Sequence, residues 1–179
     1  MFKRSRVLSL FVGLAAMLGV FGLVAAQDAP PMVDPLNLTS EPVVLEFSSG
    51  PAGPPTIEIV TDGRMTFRID TAGPVSGSFD GTMTGTVSEM TANPSPAYHQ
   101  VTVMFKIETE LGSFHGYYAG SFHRPEGADQ AEIAAVGKIL SVSGAYADLY
   151  MADVYVNSAV SYADGRSTGE AGTMLIAPR

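Results

Sequence analysis

Hydrophobic and polar residues alternate along most of the chain after residue 42, and this period of two is typical of β-strands. The longest such stretch is Tyr98–Arg124, which contains two strand-length segments joined across Glu110-Leu111-Gly112. Because successive side chains of a strand point to opposite faces, the stretch predicts an antiparallel hairpin with one apolar face. That face carries Val101, Val103, Phe105, Ile107, Phe114, Gly116, Tyr118, Gly120 and Phe122.

Further alternating segments predict strands at short intervals along the rest of the domain. They are Val43–Ser48, Thr56–Thr61, Arg64–Asp70, Val75–Met90, Ala131–Val142, Gly144–Tyr162 and Thr168–Ala177. The dipeptides Asp62-Gly63 and Asp164-Gly165 are typical of two-residue hairpin turns, so each is expected to join two strands. Ala131–Val142 has some helix propensity, but Gly137 and the β-branched residues favour a strand.

About eight to nine strands with little helix predict an all-β fold. Within Val75–Met90, the residues Gly77, Gly81 and Gly85 recur on one face of the predicted strand. Glycines in a strand permit tight curvature, and the closure of a small barrel requires such curvature. We therefore predict a closed antiparallel β-barrel of about eight strands, with a β-sandwich as the alternative.

The N-terminal residues have the pattern of a signal peptide. Lys3, Arg4 and Arg6 precede an apolar run from Val7 to Ala26, which ends in the small residues Val24-Ala25-Ala26. A retained membrane anchor is the alternative, because about 20 apolar residues are enough to span a bilayer. The predicted organisation is a signal peptide over 1–26, a proline-rich flexible tether over 27–42 and a single barrel domain over 43–179. Such a protein would be secreted or periplasmic, with no stable membrane span after cleavage.

The composition limits the classes of chemistry and partner. The chain has no cysteine, so disulfides, thiol chemistry and lipid attachment at a cysteine are excluded. Its formal net charge is −8, and removal of the predicted signal peptide leaves seven basic against eighteen acidic residues. Because so acidic a surface repels phosphate backbones, we expect no nucleic-acid partner.

The residues that could carry chemistry form no recognisable catalytic or metal-binding pattern. His115 and His123 share a strand face but are eight residues apart, or about 26 Å, which is too far for one metal ion. Glu108 and Glu110 share a face near a hairpin end, where we expect both carboxylates to be solvated. The sequence therefore predicts no catalytic residue, no metal site and no cofactor.

Aromatic residues on the predicted inward faces are the candidates for ligand contact. Side chains of this kind line an apolar cavity in some barrels and fill the core in others. The predicted ligand-binding residues are Phe79, Phe105, Phe114, Tyr118 and Phe122. The expected ligand is small and apolar.

Three segments punctuated by glycine, GSFHGYYAGSFHR, GKILSVSGAYADLY and DGRSTGEAGTMLI, resemble the exported bacterial relatives of the allene oxide cyclase and dirigent-like barrel group. The matching pieces are Gly116-Tyr117-Tyr118 and Gly144-Ala145-Tyr146, and the resemblance covers residues 75–177. It implies a closed barrel of about eight strands with a hydrophobic central cavity. No catalytic residue of either family has a counterpart here, so it implies the fold and not an activity. Lipocalin-like calycins are a fold-level alternative, but a chain without tryptophan lacks their Gly-x-Trp signature.

Three functions follow as hypotheses. The first is an exported, non-enzymatic barrel that binds a small apolar ligand or has an accessory role outside the membrane. The second is an isomerase or cyclase that acts in the cavity, as the resemblance allows. The third is an outer-membrane barrel, against which the Ser, Thr, Asp and His residues on the outward faces argue. The resemblance also makes a homo-oligomer possible.

The predicted export signal is tested by the mass of the mature chain. Because small residues precede Gln27, we expect the exported protein to begin at Gln27. Intact-mass spectrometry of protein recovered from outside the cytoplasm checks this. A chain that keeps residues 1–26 and sediments with membranes would contradict it.

Overall fold

The chain forms nine β-strands, and eight of them close into an antiparallel barrel. A computed structural model describes residues 41–60, 64–91, 98–164 and 166–178. The strands are β1 (Val43–Pro51), β2 (Thr56–Val60), β3 (Arg64–Gly77), β4 (Gly81–Thr91), β5 (Tyr98–Thr109), β6 (Gly112–His123), β7 (Gln130–Gly144), β8 (Asp153–Ala163) and β9 (Arg166–Ala177). The predicted signal peptide, nearly all of the predicted tether and the Asp62-Gly63 turn lie outside these residues.

Closure depends on β1, which pairs with the last strand and with β3. From β3 to β9 each strand pairs antiparallel with the next, and β1 pairs with β9 on one side and β3 on the other. The ring therefore contains β1 and β3 to β9, while β2 extends the first half of β3 as a hairpin. The predicted all-β closed barrel is confirmed, and the alternative sandwich is wrong because the sheet returns on itself.

Most predicted strands are confirmed, including the central hairpin of β5 and β6 and the strand at β7. The prediction of one continuous strand over Val75–Met90 is wrong, because the chain turns between β3 and β4. Gly77 has a φ of +125° there. The following Ser78 donates its N–H to the carbonyl of Val44 and accepts the Val44 N–H at its hydroxyl. These bonds tie the turn to β1 instead of extending β3.

The predicted strand over Gly144–Tyr162 is also shorter than expected. The chain leaves β7 at Gly144, where φ is +64°, and passes through a short 3₁₀ helix, η1 (Ala147–Leu149). Met151, with a φ of +63°, then donates its N–H to the carbonyl of Ile139 and leads into β8. The connection between β7 and β8 is therefore a compact cap and not a strand.

Side chains fill most of the barrel interior. The inward residues of each strand alternate with exposed ones, and the aromatic residues Phe105, Phe114, Tyr118 and Phe122 are buried among aliphatic neighbours. Gly116 makes room for this packing, because a Cβ there would stand 2.8 Å from Cζ of Phe105. An eight-stranded barrel is just wide enough for side chains to fill, so the interior is mainly a core.

Aromatic rings seal one end of the barrel. Phe79, Phe114 and Tyr146 contact one another with centroid separations of 5.1 to 5.7 Å. The hydroxyl of Tyr146 forms a 2.6 Å hydrogen bond with Thr109 Oγ1, and Leu149 of η1 is fully buried beside the cluster. Because Tyr146 keeps a polar partner while its ring is buried, this end closes without an unsatisfied hydroxyl.

The outer surface mixes polar residues with a few apolar ones. Ion pairs join Lys106 to Glu108 and Lys138 to Asp153. One row of paired residues is apolar across four strands and contains Val44, Leu175, Tyr155 and Val136. Within the part of the chain that the structure describes, no helix has the length and apolar character needed to cross a membrane.

Close strand packing at Gly137 gives a test of the barrel. A Cβ at this position would lie 1.7 Å from the carbonyl oxygen of Tyr117 on β6, so neighbouring backbone must move. We expect Gly137→Ala to lower the free energy of unfolding by about 1–3 kcal/mol or more, measured by urea denaturation. Gly53→Ala is the control, because no atom lies within 4 Å of its added Cβ. Equal stability of the two variants would contradict the packing.

Candidate ligand-binding site

The end of the barrel opposite the aromatic cluster contains a small cavity. Its volume is about 70 Å³, and it opens to solvent on one side. A single water molecule needs roughly 10–15 Å³ measured in this way, so the cavity has room for several. The lining residues are Ser49, Gly50, Pro51, Ile69, Thr71, Val87, Val101, Phe122, Ile133, Val160, Tyr162, Ser167, Gly169 and Glu170.

The burial of these residues defines an inner and an outer part of the cavity. Val101, Phe122 and Ile133 are buried, whereas Val87 and Tyr162 are half-buried and lie towards the mouth. The walls are therefore apolar at both depths. This matches the usual composition of small-molecule sites, in which a few polar groups are placed among hydrophobic side chains.

Glu170 supplies a carboxyl group to the inner part of the cavity. Glu170 is 8% exposed, and β9 directs its side chain inward together with those of Met174 and Ile176. Ser158 Oγ donates a 2.6 Å hydrogen bond to Glu170 Oε1, and the Tyr118 hydroxyl donates a longer bond of 3.4 Å to the same oxygen. Tyr118 reaches this oxygen across the interior from β6. Both donors favour a carboxylate acceptor.

Burial changes the ionisation of this pair. The pKa of Glu170 is raised above its ordinary value of 4.5, mainly because burial removes water from the charged form, while the bonds from Ser158 and Tyr118 act in the opposite direction. The pKa of Tyr118 is also raised, first by burial and then by the negative charge of Glu170. The tyrosine therefore stays protonated and acts as a hydrogen-bond donor.

Both hydrogen bonds to Glu170 end on Oε1, and Oε2 accepts none from the described residues. Ser49 is Glu170's cross-strand neighbour on β1 and also lines the cavity. Its residue is 5% exposed, and its Oγ is a buried atom without a hydrogen bond within the described ranges. A buried polar atom without a partner costs about 1–3 kcal/mol. The cavity therefore holds two adjacent polar groups that are free to bind a third.

The five predicted ligand-binding residues lie in different parts of the barrel. Phe122 lines the cavity, and Tyr118 bonds to its carboxylate. Phe105 packs against Tyr118 in the core at a centroid distance of 5.9 Å. Phe79 and Phe114 belong to the sealed end. One of the five therefore lies in the cavity wall and a second bonds to its carboxylate, and the ligand-binding role of all five stays a prediction.

Glu170, Ser158 and Ser49 did not emerge from the sequence as candidates. Each occupies an inward position of a strand whose other inward residues are apolar, as Val154, Val156 and Val160 are around Ser158. A polar residue on an otherwise apolar strand face was the available signal. It could not identify a site, because the three residues are far apart in sequence.

The residues weighed for metal binding or acid–base chemistry do not form a site. His115 is exposed on the outer wall of β6, and Glu108 is exposed beside Lys106. The His99 ring stacks on Phe122 with centroids 5.4 Å apart, near the mouth of the cavity. Across the described ranges, no group of three His, Cys, Asp or Glu residues is placed to hold a metal ion.

No protein-family model, curated protein or solved structure matches this chain. The resemblance to the allene oxide cyclase and dirigent-like group therefore stays a prediction. The function has to be argued from the geometry of the cavity.

The raised pKa of Glu170 predicts how stability depends on pH. Because the folded state holds this proton more tightly, Glu170 stabilises the fold fully below about pH 4.5, and that stabilisation is lost as pH rises through the folded-state pKa. We expect Glu170→Gln, which mimics the protonated form, to gain stability relative to the wild type over this range. The gain is about 1.4 kcal/mol for each tenfold difference between the folded and unfolded dissociation constants.

Urea denaturation of both proteins between pH 4 and pH 8 measures the effect. Glu132→Gln is the matched control, because Glu132 is exposed on the outer face of β7. The free energy of unfolding of Glu132→Gln should differ from that of the wild type by the same amount at every pH. The gain of Glu170→Gln over the wild type should increase with pH. Parallel curves for all three proteins would contradict the burial of the carboxylate.

Proposed function

We propose that this chain is a small-molecule binding barrel that admits a narrow ligand at the open end and holds its polar end at Glu170. The observation that carries the proposal is a buried carboxylate, with one oxygen unpartnered, inside a solvent-connected cavity with apolar walls. An apolar residue at this position would pack without the cost of burying a charge. A ligand that contacts this carboxylate is the best explanation for its presence here.

The size of the cavity limits the ligand. A volume of about 70 Å³ is well below the ~300–1,000 Å³ of sites that enclose a drug-sized molecule. Only the end of a ligand fits inside, and the remainder lies along half-buried Ile69, Val87 and Tyr162 at the mouth. This supports a slender molecule, such as one with a short alkyl chain, and disfavours a bulky ring system.

A cavity isomerase is the second candidate, because Glu170 has the buried position and raised pKa that a general base or acid requires. The filled interior argues for binding instead. Phe105, Tyr118 and Ile139 occupy the space in which a substrate would have to rearrange. If the chain were such an isomerase, it would turn over a substrate, and Glu170→Gln would abolish that turnover.

The proposed setting is outside the cytoplasm, as the signal-like N-terminus indicates. An outer-membrane role is not favoured, because the outward positions of β4 and β5 include Thr84, Thr102, Lys106 and Glu108. Lipid contact requires an apolar band around the barrel at these positions.

A unique tryptophan tests whether small ligands enter at this end. The chain has none, so Val87→Trp places a single indole at the mouth of the cavity. The probes are three six-carbon molecules: hexan-1-amine, hexan-1-ol and hexanoate. We expect at least one of them to shift the tryptophan emission to the blue. The physical reason is that the bound alkyl chain displaces water from the indole. A Kd of about 1 mM or tighter is expected.

Thr102→Trp is the matched control, because Thr102 is exposed on the outer wall of β5. Its emission should not respond to the same probes. Calorimetric titration of the unaltered chain should give the same rank order of affinities. No binding of any probe by calorimetry, or an equal response of both indoles, would refute the proposed site.

A further inference from the structure

The polar groups inside the cavity define the head group that they select. Resting on the proposed binding function, we infer that the ligand carries a protonated primary amine, which binds between Glu170 Oε2 and Ser49 Oγ, with a short apolar tail pointing to the mouth. The inference goes beyond cavity size, because it distinguishes ligands of the same shape by their charge.

The two carboxylate oxygens of Glu170 differ in their hydrogen bonds. Oε1 accepts hydrogen bonds from Ser158 and Tyr118, and these two donors fix the orientation of the group. Oε2 keeps its acceptor capacity, because both hydrogen bonds from the described residues end on Oε1. A carboxylate held in place by one oxygen presents the other as an acceptor, where a donor group of the ligand can replace water.

Ser49 lies beside Glu170 on the neighbouring strand. Ser49 and Glu170 are directly paired residues of β1 and β9, so their Cβ atoms are about 4.5–5.5 Å apart on the inward face. No hydrogen bond joins them, and Ser49 Oγ has no other partner in the described part of the chain. An ammonium group has three donors, so it satisfies both acceptors at once. A hydroxyl head can donate to Glu170 Oε2 and accept from the Ser49 O–H, but it brings no positive charge to the carboxylate.

The described lining of the cavity contains no positively charged side chain to compensate Glu170. Within the described ranges, Glu170 forms no ion pair, and the cavity lining contains no lysine, arginine or histidine. The other titratable groups that face this region are Tyr118 on β6 and Tyr162 on β8. Outside the lining, Arg124 lies 3.7 Å from the centroid of the Tyr162 ring. Its Nε donates to the carbonyl of Ala128.

Other basic residues near this end, such as His99 and Arg166, are not part of the cavity lining, and the His99 ring stacks on Phe122. A fatty-acid head would therefore meet an uncompensated negative charge, whereas an amine supplies the missing positive one. The formal net charge of −8 further attracts cations to the chain.

The experiment compares hexan-1-amine, hexan-1-ol and hexanoate at pH 7 by calorimetric titration of the whole chain. We expect the amine to bind at least tenfold more tightly than the alcohol, and hexanoate to bind most weakly. Glu170→Gln should weaken amine binding by about ten- to hundredfold and leave alcohol binding within about threefold. Glu132→Gln, on the outer face, should leave all three affinities unchanged.

Ser49→Ala separates a head-group contact from a structural role. Because the hydroxyl has no partner in the described part of the chain, its removal should not lower stability, yet amine affinity should fall several-fold. The amine stays protonated far above neutral pH, so its affinity should fall when the pH is lowered through the pKa of Glu170.

The outcomes distinguish this inference from the proposed function. If none of the three probes binds, the proposed function fails and the inference fails with it. If the alcohol or hexanoate binds as tightly as the amine, or if Glu170→Gln keeps full amine affinity, the amine inference is overturned while the binding site stands.

Discussion

Double pairing of the first strand is the constraint on which the rest of the structure depends. β1 bonds to β9 on one side and to the second half of β3 on the other, so the strands of the ring have no free edge between them. Closure with eight strands fixes an interior that side chains nearly fill. Space for a ligand inside the barrel is therefore confined to its ends.

The two ends differ because the connections between strands differ. At one end Phe79, Phe114 and Tyr146 pack together beneath η1, and the Tyr146 hydroxyl is satisfied by Thr109. At the other end the inward residues include Ser49, Gly50 and Gly169, and a cavity of about 70 Å³ is left. In the proposed binding mode, a ligand enters at this end and its inner end meets Glu170.

The carboxylate of Glu170 links stability to the proposed function. Its burial raises its pKa and makes the charged form costly in the folded state. Ser158 and Tyr118 reduce that cost at one oxygen, and the second oxygen is left to the cavity beside Ser49. Glu170 therefore combines a raised pKa with a carboxylate oxygen that can accept a hydrogen bond from a ligand. A perturbed pKa in a cleft is typical of functional sites.

The sequence by itself determined the fold class and most of the strands, because strand alternation is a local property of neighbouring residues. The inward face of Tyr98–Arg124 is correct residue by residue, from Val101 to Phe122. The same local reasoning failed at Gly77 and Gly144, where a positive φ turns the chain although the alternation continues.

Only the tertiary structure decided whether the interior is open, and where. Phe79, Phe105 and Phe114 were predicted to meet a ligand, but barrel closure places two of them in the sealed end and one in the core. Closure also brings Ser49 on the first strand of the barrel beside Glu170 on the last, and Tyr118 reaches Glu170 across 52 residues of sequence. Such contacts depend on strand register around a closed ring, which local alternation does not encode.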